Sequence, residues 1–206
     1  MAQFFMIHPD NPQLRLIREA VKIVKDGGLI VYPTDSCYAL GCALGDKAAM
    51  ERLLAVRQLD LKHHLTLVCA DLSELSTYAR VDNRQFRLLK AATPGSYTFI
   101  LEATREVPRR TLNPKRSTIG LRVPENPVAL ALLAEHGEPI LSCTLLLPGD
   151  SEPLTDPYEI RDRLERSVDL VIDGGWCGLE PTTVIDMTDG VELVRRGKGD
   201  PARFGF

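Results

Sequence analysis

A chain of 206 residues, 44% hydrophobic and 26% charged, has the make-up of an ordinary soluble globular protein and room for one large core. Its formal net charge of −3 argues against a general nucleic-acid coat protein, and no run approaches the roughly 18–20 consecutive apolar residues that span a bilayer. Five cysteines at irregular spacing, without a CxxC pair or a Cys/His ligand grouping, point away from a zinc site and towards reduced thiols in a cytoplasm.

In chain order, MAQFFMIHPDNPQ lacks the basic region and long apolar stretch of a secretory signal. Leu14, Ile17, Val21 and Val24 share one face of a predicted helix, with Asn11 and Pro12 as its N-cap and first-turn pair and Gly27-Gly28 as its stop. The strand LIVYPT follows. It ends in Thr34, Asp35, Ser36 and Tyr38, which make either a polar turn that caps itself or one wall of a small-molecule pocket. DKAAMERLLAVRQL is a second amphipathic helix, HLTLVCA a short strand, and DLSELSTYA and NRQFRLLKAA are two more helices. Pro94-Gly95 turns into the strand SYTFILEA, and STIGLRVP is another strand. NPVALALLAEHG is a helix with Asn-Pro at its start and Gly at its end, and PILSCTLLL a strand. Asp156, Pro157 and Glu159 open the last helix, and VDLVIDGG, TTVIDMT and VELVRRG are short strands. Several strands adjoin through turns too short for a parallel crossover. The expectation is therefore one α/β domain over residues 1–206, with a twisted mixed sheet flanked by helices.

Standard nucleotide and hydrolase signatures are missing: there is no GxxxxGK[ST], no GxGxxG after a strand, no HExxH and no GxSxG. Asp35, Asp150, Asp173 and Asp186 each sit at a strand end, where turn capping accounts for them as well as a pocket does. Small hydroxyls gather instead. Thr34 and Ser36 close one strand, and Thr118 and Arg122 flank IGL on another. Ser142 and Thr144 share one face of LSCTLL, and Thr182 and Thr183 open TTVID. Hydroxyls beside arginines suit a carboxylate or a phosphate, whose oxygens match the guanidinium fork. Basic runs at residues 105–122 and 195–198 add to the case for a phosphate-bearing partner.

In order along the chain stand PTDSCYALG, TPGSYTFIL, IGLRVPENP, PILSCT, TTVID and VRRGKGD. Together they resemble the landmarks of the YrdC/YciO family over nearly the whole length. The resemblance implies a twisted mixed sheet around a concave positive cavity, an architecture shared with dihydroxybutanone-phosphate synthase. It also implies a threonylcarbamoyl-adenylate synthase chemistry. L-threonine, bicarbonate and ATP, with Mg²⁺, would give threonylcarbamoyl-AMP and pyrophosphate on the route to modified tRNA. By the same resemblance Thr34, Arg122 and Thr183 would hold threonine, and Arg57, Thr118, Ser142 and Arg195 the nucleotide.

The chain also departs from the family pattern. Synthases carry Lys-x-Arg where this chain has Arg57 and Leu59, and Ser-x-Asn where it has Ser142-Cys143-Thr144. Removing one charged hydrogen bond to a phosphate would cost on the order of 1.5–3 kcal/mol. Lys62, His63 and His64 lie close enough in sequence to replace part of that charge. The alternative reading is an RNA-binding protein, for tRNA or double-stranded RNA, that keeps the positive cavity without the catalysis and uses Arg109, Arg110 and Arg116. The phosphate-sugar chemistry of dihydroxybutanone-phosphate synthase is a third reading, but it needs clustered carboxylates that are not evident here.

Overall fold

The structure, a computed structural model, describes residues 1–60, 65–112 and 117–206; Lys62, His63, His64, Lys115 and Arg116 lie outside the described residues. Strand β1 (Gln3–Met6) leads into α1 (Leu14–Lys25), β2 (Ile30–Tyr32), β3 (Ala39–Ala43), α2 (Lys47–Arg57), β4 (Thr66–Val68), α3 (Leu72–Tyr78) and α4 (Asn83–Ala92). Next come β5 (Tyr97–Glu102), a 3-10 turn at Arg109–Thr111, β6 (Thr118–Arg122), α5 (Pro127–His136) and β7 (Ile140–Thr144). Then α6 (Pro157–Leu164), β8 (Leu170–Asp173), β9 (Thr183–Asp186) and β10 (Glu192–Arg195) precede a second 3-10 turn at Pro201–Phe204.

Short polar side chains start most helices by accepting a first-turn N–H: Asp46 from Ala49, Asp71 from Glu74, Asn126 from Ala129 and Asp156 from Tyr158. Asp82 and Gln85 form a reciprocal capping box on α4. The expected Asn11-Pro12 cap of α1 is not formed. That helix begins at Leu14 behind Gln13, which makes no side-chain cap. The preceding residues instead close a turn in which His8 Nδ1 accepts the backbone N–H groups of Asp10 and Asn11. Leu14 is consequently exposed, while Ile17, Val21 and Val24 are buried as expected.

Among the described residues, ten strands form one sheet in the order β1-β8-β2-β3-β7-β4-β6-β5-β9-β10. The β1–β8, β2–β8, β4–β6 and β5–β9 pairs are parallel and the others antiparallel, as the short connections required. β1 and β3 were not anticipated. On one face, α1 and α5 pack over Ile30, Ile140, Leu170 and Ile172. The other face carries the larger core, in which Val31, Leu40, Leu67, Phe99, Leu121, Leu141 and Ile185 meet α2, α3, α4 and α6. No helix among the described residues is long and apolar enough to cross a membrane.

His136, in the last turn of α5, is buried with both ring nitrogens unpartnered. Burial lowers its pKa, helped by the Lys25 ammonium and opposed by Glu138. The folded state therefore holds the ring neutral, whereas the unfolded chain takes up the proton near pH 6.5. Stability contributed by the neutral ring is present above that pH and is lost as pH falls. His136→Leu should raise stability at neutral pH by about 1 kcal/mol, because two orphaned polar atoms disappear. It should also flatten the loss of melting temperature below pH 6.5. A slope equal to that of the parent protein would refute this account.

Candidate functional site

Residues two apart on a strand share a face. On the α1/α5 side, beyond the reach of those helices, Thr66 and Val68, Thr98 and Ile100, Gly120 and Arg122, Ser142 and Thr144, and Thr182 and Val184 form the floor of a cavity of about 440 Å³. Gly120 sits where an added Cβ would lie 3.1 Å from Thr66 Oγ1, so the floor is clear at that point only without a side chain. The turn after β2 supplies one wall through Thr34, Ser36 and Cys37, and the end of α2 another through Arg57. Tyr32, Cys143, Glu152, Leu179, Val194 and Arg195 are also among the lining residues.

The turn that follows β2 is both self-capped and a wall. Thr34 Oγ1 donates to the Cys37 carbonyl at 2.6 Å and accepts from Ser36 N at 3.2 Å. With that proton spent, Ser36 Oγ donates to Thr34 Oγ1 at 3.1 Å and accepts from Arg122 Nη1 at 3.2 Å. Arg122 Nη2 donates to Asp35 Oδ1 at 2.6 Å, and Ser96 Oγ donates to Asp35 Oδ2 at 2.6 Å. The Arg122 and Asp35 side chains are 8% and 10% exposed, which makes this a buried ion pair. Behind the turn, Tyr38 Oη donates to Gly175 O at 2.6 Å, and Cys177 Sγ lies 3.6 Å from Thr34 O. Lys198 Nζ donates to Asp35 O. The residue 174–181 segment thus straps the turn in place.

Ser142 is similarly committed. Its hydroxyl donates to Leu40 O at 2.8 Å and accepts from Tyr32 Oη at 2.8 Å. Arg195 Nε and Nη2 donate to Thr182 O at 3.2 and 2.8 Å, and the Thr98 and Thr182 hydroxyls meet at 2.8 Å. Most hydroxyl protons here serve the protein. Among the described residues, two fully buried guanidinium donors of the lining have no hydrogen-bond partner, Arg57 Nε and Arg122 Nε. Burial pushes the Cys37 and Cys143 thiols up to about 11 despite nearby arginines, and the Tyr32 phenol up to about 12. None of these groups supplies a nucleophile near neutrality. The cavity is equipped to bind and orient anions.

The model of the Sua5/YciO/YrdC family, described as telomere recombination, matches residues 22–197. The chain belongs to this family. Escherichia coli YciO is 62% identical over 99% of this chain and 100% of its own. Its crystal structure superposes with a TM-score of 0.96. A threonylcarbamoyl-AMP synthase of Stenotrophomonas maltophilia is 34% identical over 83% of this chain and 93% of its own. Sua5 of P. abyssi, crystallised with L-threonine, shares the fold at a TM-score of 0.86 and 24% identity, over 94% of this chain and 57% of that one.

Of the residues assigned through the Sua5/YciO/YrdC landmarks, Thr34, Arg57, Arg122, Ser142 and Arg195 are brought together on the cavity. Thr118 is buried at the start of β6 and does not line it. Thr183 points to the opposite face, where its hydroxyl accepts from Gly197 N and donates to Gly199 O; Thr182 is the threonine facing the cavity. Leu59 packs at the edge of the larger core, outside the cavity. Arg109 and Arg110 occupy an exposed 3-10 turn and do not line the cavity, and Arg116 lies outside the described residues. Asp150 pairs with Arg163, while Asp173 and Asp186 cap turns at Gly175 and Thr188. Thr66 and Thr98 were missed, although each alternates with a buried apolar residue, Leu67 and Phe99.

Proposed function

We propose that the cavity binds L-threonine and ATP and joins them with bicarbonate as threonylcarbamoyl-AMP. The observation that carries this reading is the pair of unsatisfied, buried guanidinium N–H groups, Arg57 Nε and Arg122 Nε, on one cavity. A buried donor left without a partner costs about 1–3 kcal/mol, which an anionic ligand recovers at both places. Further support comes from the relatives named threonylcarbamoyl-AMP synthase. Arg122 takes the threonine carboxylate, Arg57 a phosphate and Arg195 the nucleotide. Thr34 and Ser142 hold the wall and floor in shape, since their protons are already used.

The threonine amine adds to the carbon of CO₂ and loses a proton to give a carbamate; starting from bicarbonate, a C–O bond also breaks and that oxygen leaves as water. A carbamate oxygen attacks the α-phosphorus of ATP, the bond to the bridging oxygen breaks, and pyrophosphate leaves. No covalent enzyme intermediate is needed, in keeping with a cavity poor in nucleophiles. Mg²⁺ arrives with the triphosphate as part of the substrate. Glu152 is the only carboxylate among the described lining residues, and no metal-ligating cluster occurs among the described residues.

The test is pyrophosphate release from ATP, bicarbonate and Mg²⁺, with and without L-threonine. A triple variant, Arg57→Lys, Leu59→Arg and Thr144→Asn, runs alongside. Threonine-dependent release by the parent protein is the expected result. Turnover by the variant alone would mean a synthase cavity now serving another ligand, and silence from both would overturn the reading. RNA binding is favoured only by the exposure of Arg109 and Arg110. It requires an affinity for tRNA that falls steeply with salt and weakens when both are neutralised.

A further inference from the structure

We propose that Asp35 is the positioning residue of this cavity. It grips one end of the Arg122 guanidinium and so fixes the direction in which the unpartnered Nε–H is offered to a ligand carboxylate. Asp35 Oδ1 accepts from Nη2 at 2.6 Å, and Ser36 Oγ accepts from Nη1 at 3.2 Å. Each terminal nitrogen therefore gives one of its two N–H groups to consecutive residues of one turn, and Nε is the nitrogen left without a partner. Asp35 is itself fixed on its other oxygen by Ser96 Oγ at 2.6 Å, from the segment leading into β5, and through its backbone carbonyl by Lys198. The carboxylate is thus locked before any ligand arrives. A guanidinium is a planar fork, so fixing two of its nitrogens fixes the direction of the third.

Asp35 supplies direction rather than charge. Its negative charge opposes an incoming anion, while its oxygen holds the arginine in place. Asparagine keeps an acceptor towards Nη2 and can donate to Ser96 Oγ, whereas alanine keeps neither. Orientation and charge therefore predict different results for the two substitutions.

The experiment has two arms. In the first, the ¹⁵Nε–¹H signal of Arg122, identified by its loss in Arg122→Lys, is followed without ligand. Asp35→Asn should retain it, and Asp35→Ala should broaden it or speed its exchange by about tenfold. In the second, which rests on the threonine reading, L-threonine binding is measured by calorimetry. Asp35→Ala should weaken it by about tenfold, Ser96→Ala by about threefold, and Asp35→Asn should leave it unchanged or tighter. If Asp35→Ala binds as well as the parent or keeps the signal, or if Asp35→Asn loses binding along with alanine, the proposal falls. Should the parent protein not bind threonine, the ligand assignment fails and the signal alone decides the role of Asp35. Ser96→Ala, which removes a hydrogen bond to Asp35 and none to the guanidinium, keeps the binding arm readable if Asp35→Ala does not fold.

Discussion

Arg122→Met will destabilise the protein by about 3–5 kcal/mol, the loss expected when one member of a buried ion pair is removed and the other stays. The Asp35 carboxylate would remain in a site where its side chain is 10% exposed, keeping Ser96 Oγ but losing its countercharge. Adding Asp35→Leu should recover most of the loss, because two apolar side chains can fill the volume of a buried pair at little net cost. Urea denaturation of the parent, the single variants and the double variant checks this. A double variant no more stable than Arg122→Met would mean that the pair is not the source of the loss. Threonine binding should be absent from both Arg122 variants, whatever their stability. Recovery of stability in the double variant, with threonine binding still lost, would show that the pair serves the cavity and not the fold.

Gly197→Ala should be the second costly change. A Cβ there would stand 2.3 Å from Pro181 O and 2.6 Å from Thr182 C, and backbone cannot swing aside as the tip of a side chain can. Overpacking typically costs 1–3 kcal/mol, and a backbone clash at two atoms places this substitution at about 3 kcal/mol or above. The displaced segment carries Thr182, whose carbonyl holds Arg195 and whose hydroxyl meets Thr98. Gly197 N also donates to Thr183 Oγ1 at 3.0 Å, a bond that depends on the same close approach. The variant should thus lose ATP-dependent turnover as well as melting temperature. Parent-like stability would show that the segment relaxes freely.

The helices were legible because their signals are local. Spacing gave the buried face of α1 apart from Leu14, and the Asn-Pro and Asp-Pro pairs gave the starts of α5 and α6. β3 was not legible. Its sequence, ALGCA, has no β-branched residue, and it is a strand because β2 and β7 pair with it on both sides. The cavity was half legible. Alternation along β7 separated Ser142 and Thr144 from Leu141, but Cys143, which it placed with Leu141, also lines the cavity. The same rule applied to β9 would have put Thr183 with buried Ile185, and Thr182 with Val184 on the floor. What no local rule carries is the Arg122–Asp35 pair, formed across 87 positions of sequence between the turn after β2 and the end of β6, which are not neighbours in the sheet.

The order of strands across the sheet bears on how the molecule can be made. β1 lies at one edge and its neighbour is β8, so residues 3–6 wait for residues 170–173 before they have a hydrogen-bonding partner. β5 pairs with β6 on one side, and its other edge waits for β9. During synthesis a shortened chain would expose both unpaired edges, a state open to association with other chains until the last forty or so residues emerge. The cavity is later still, because Arg195 closes it from β10. A nascent chain can therefore bind no ligand there until its sheet is complete, and ligand capture becomes a report on finished folding.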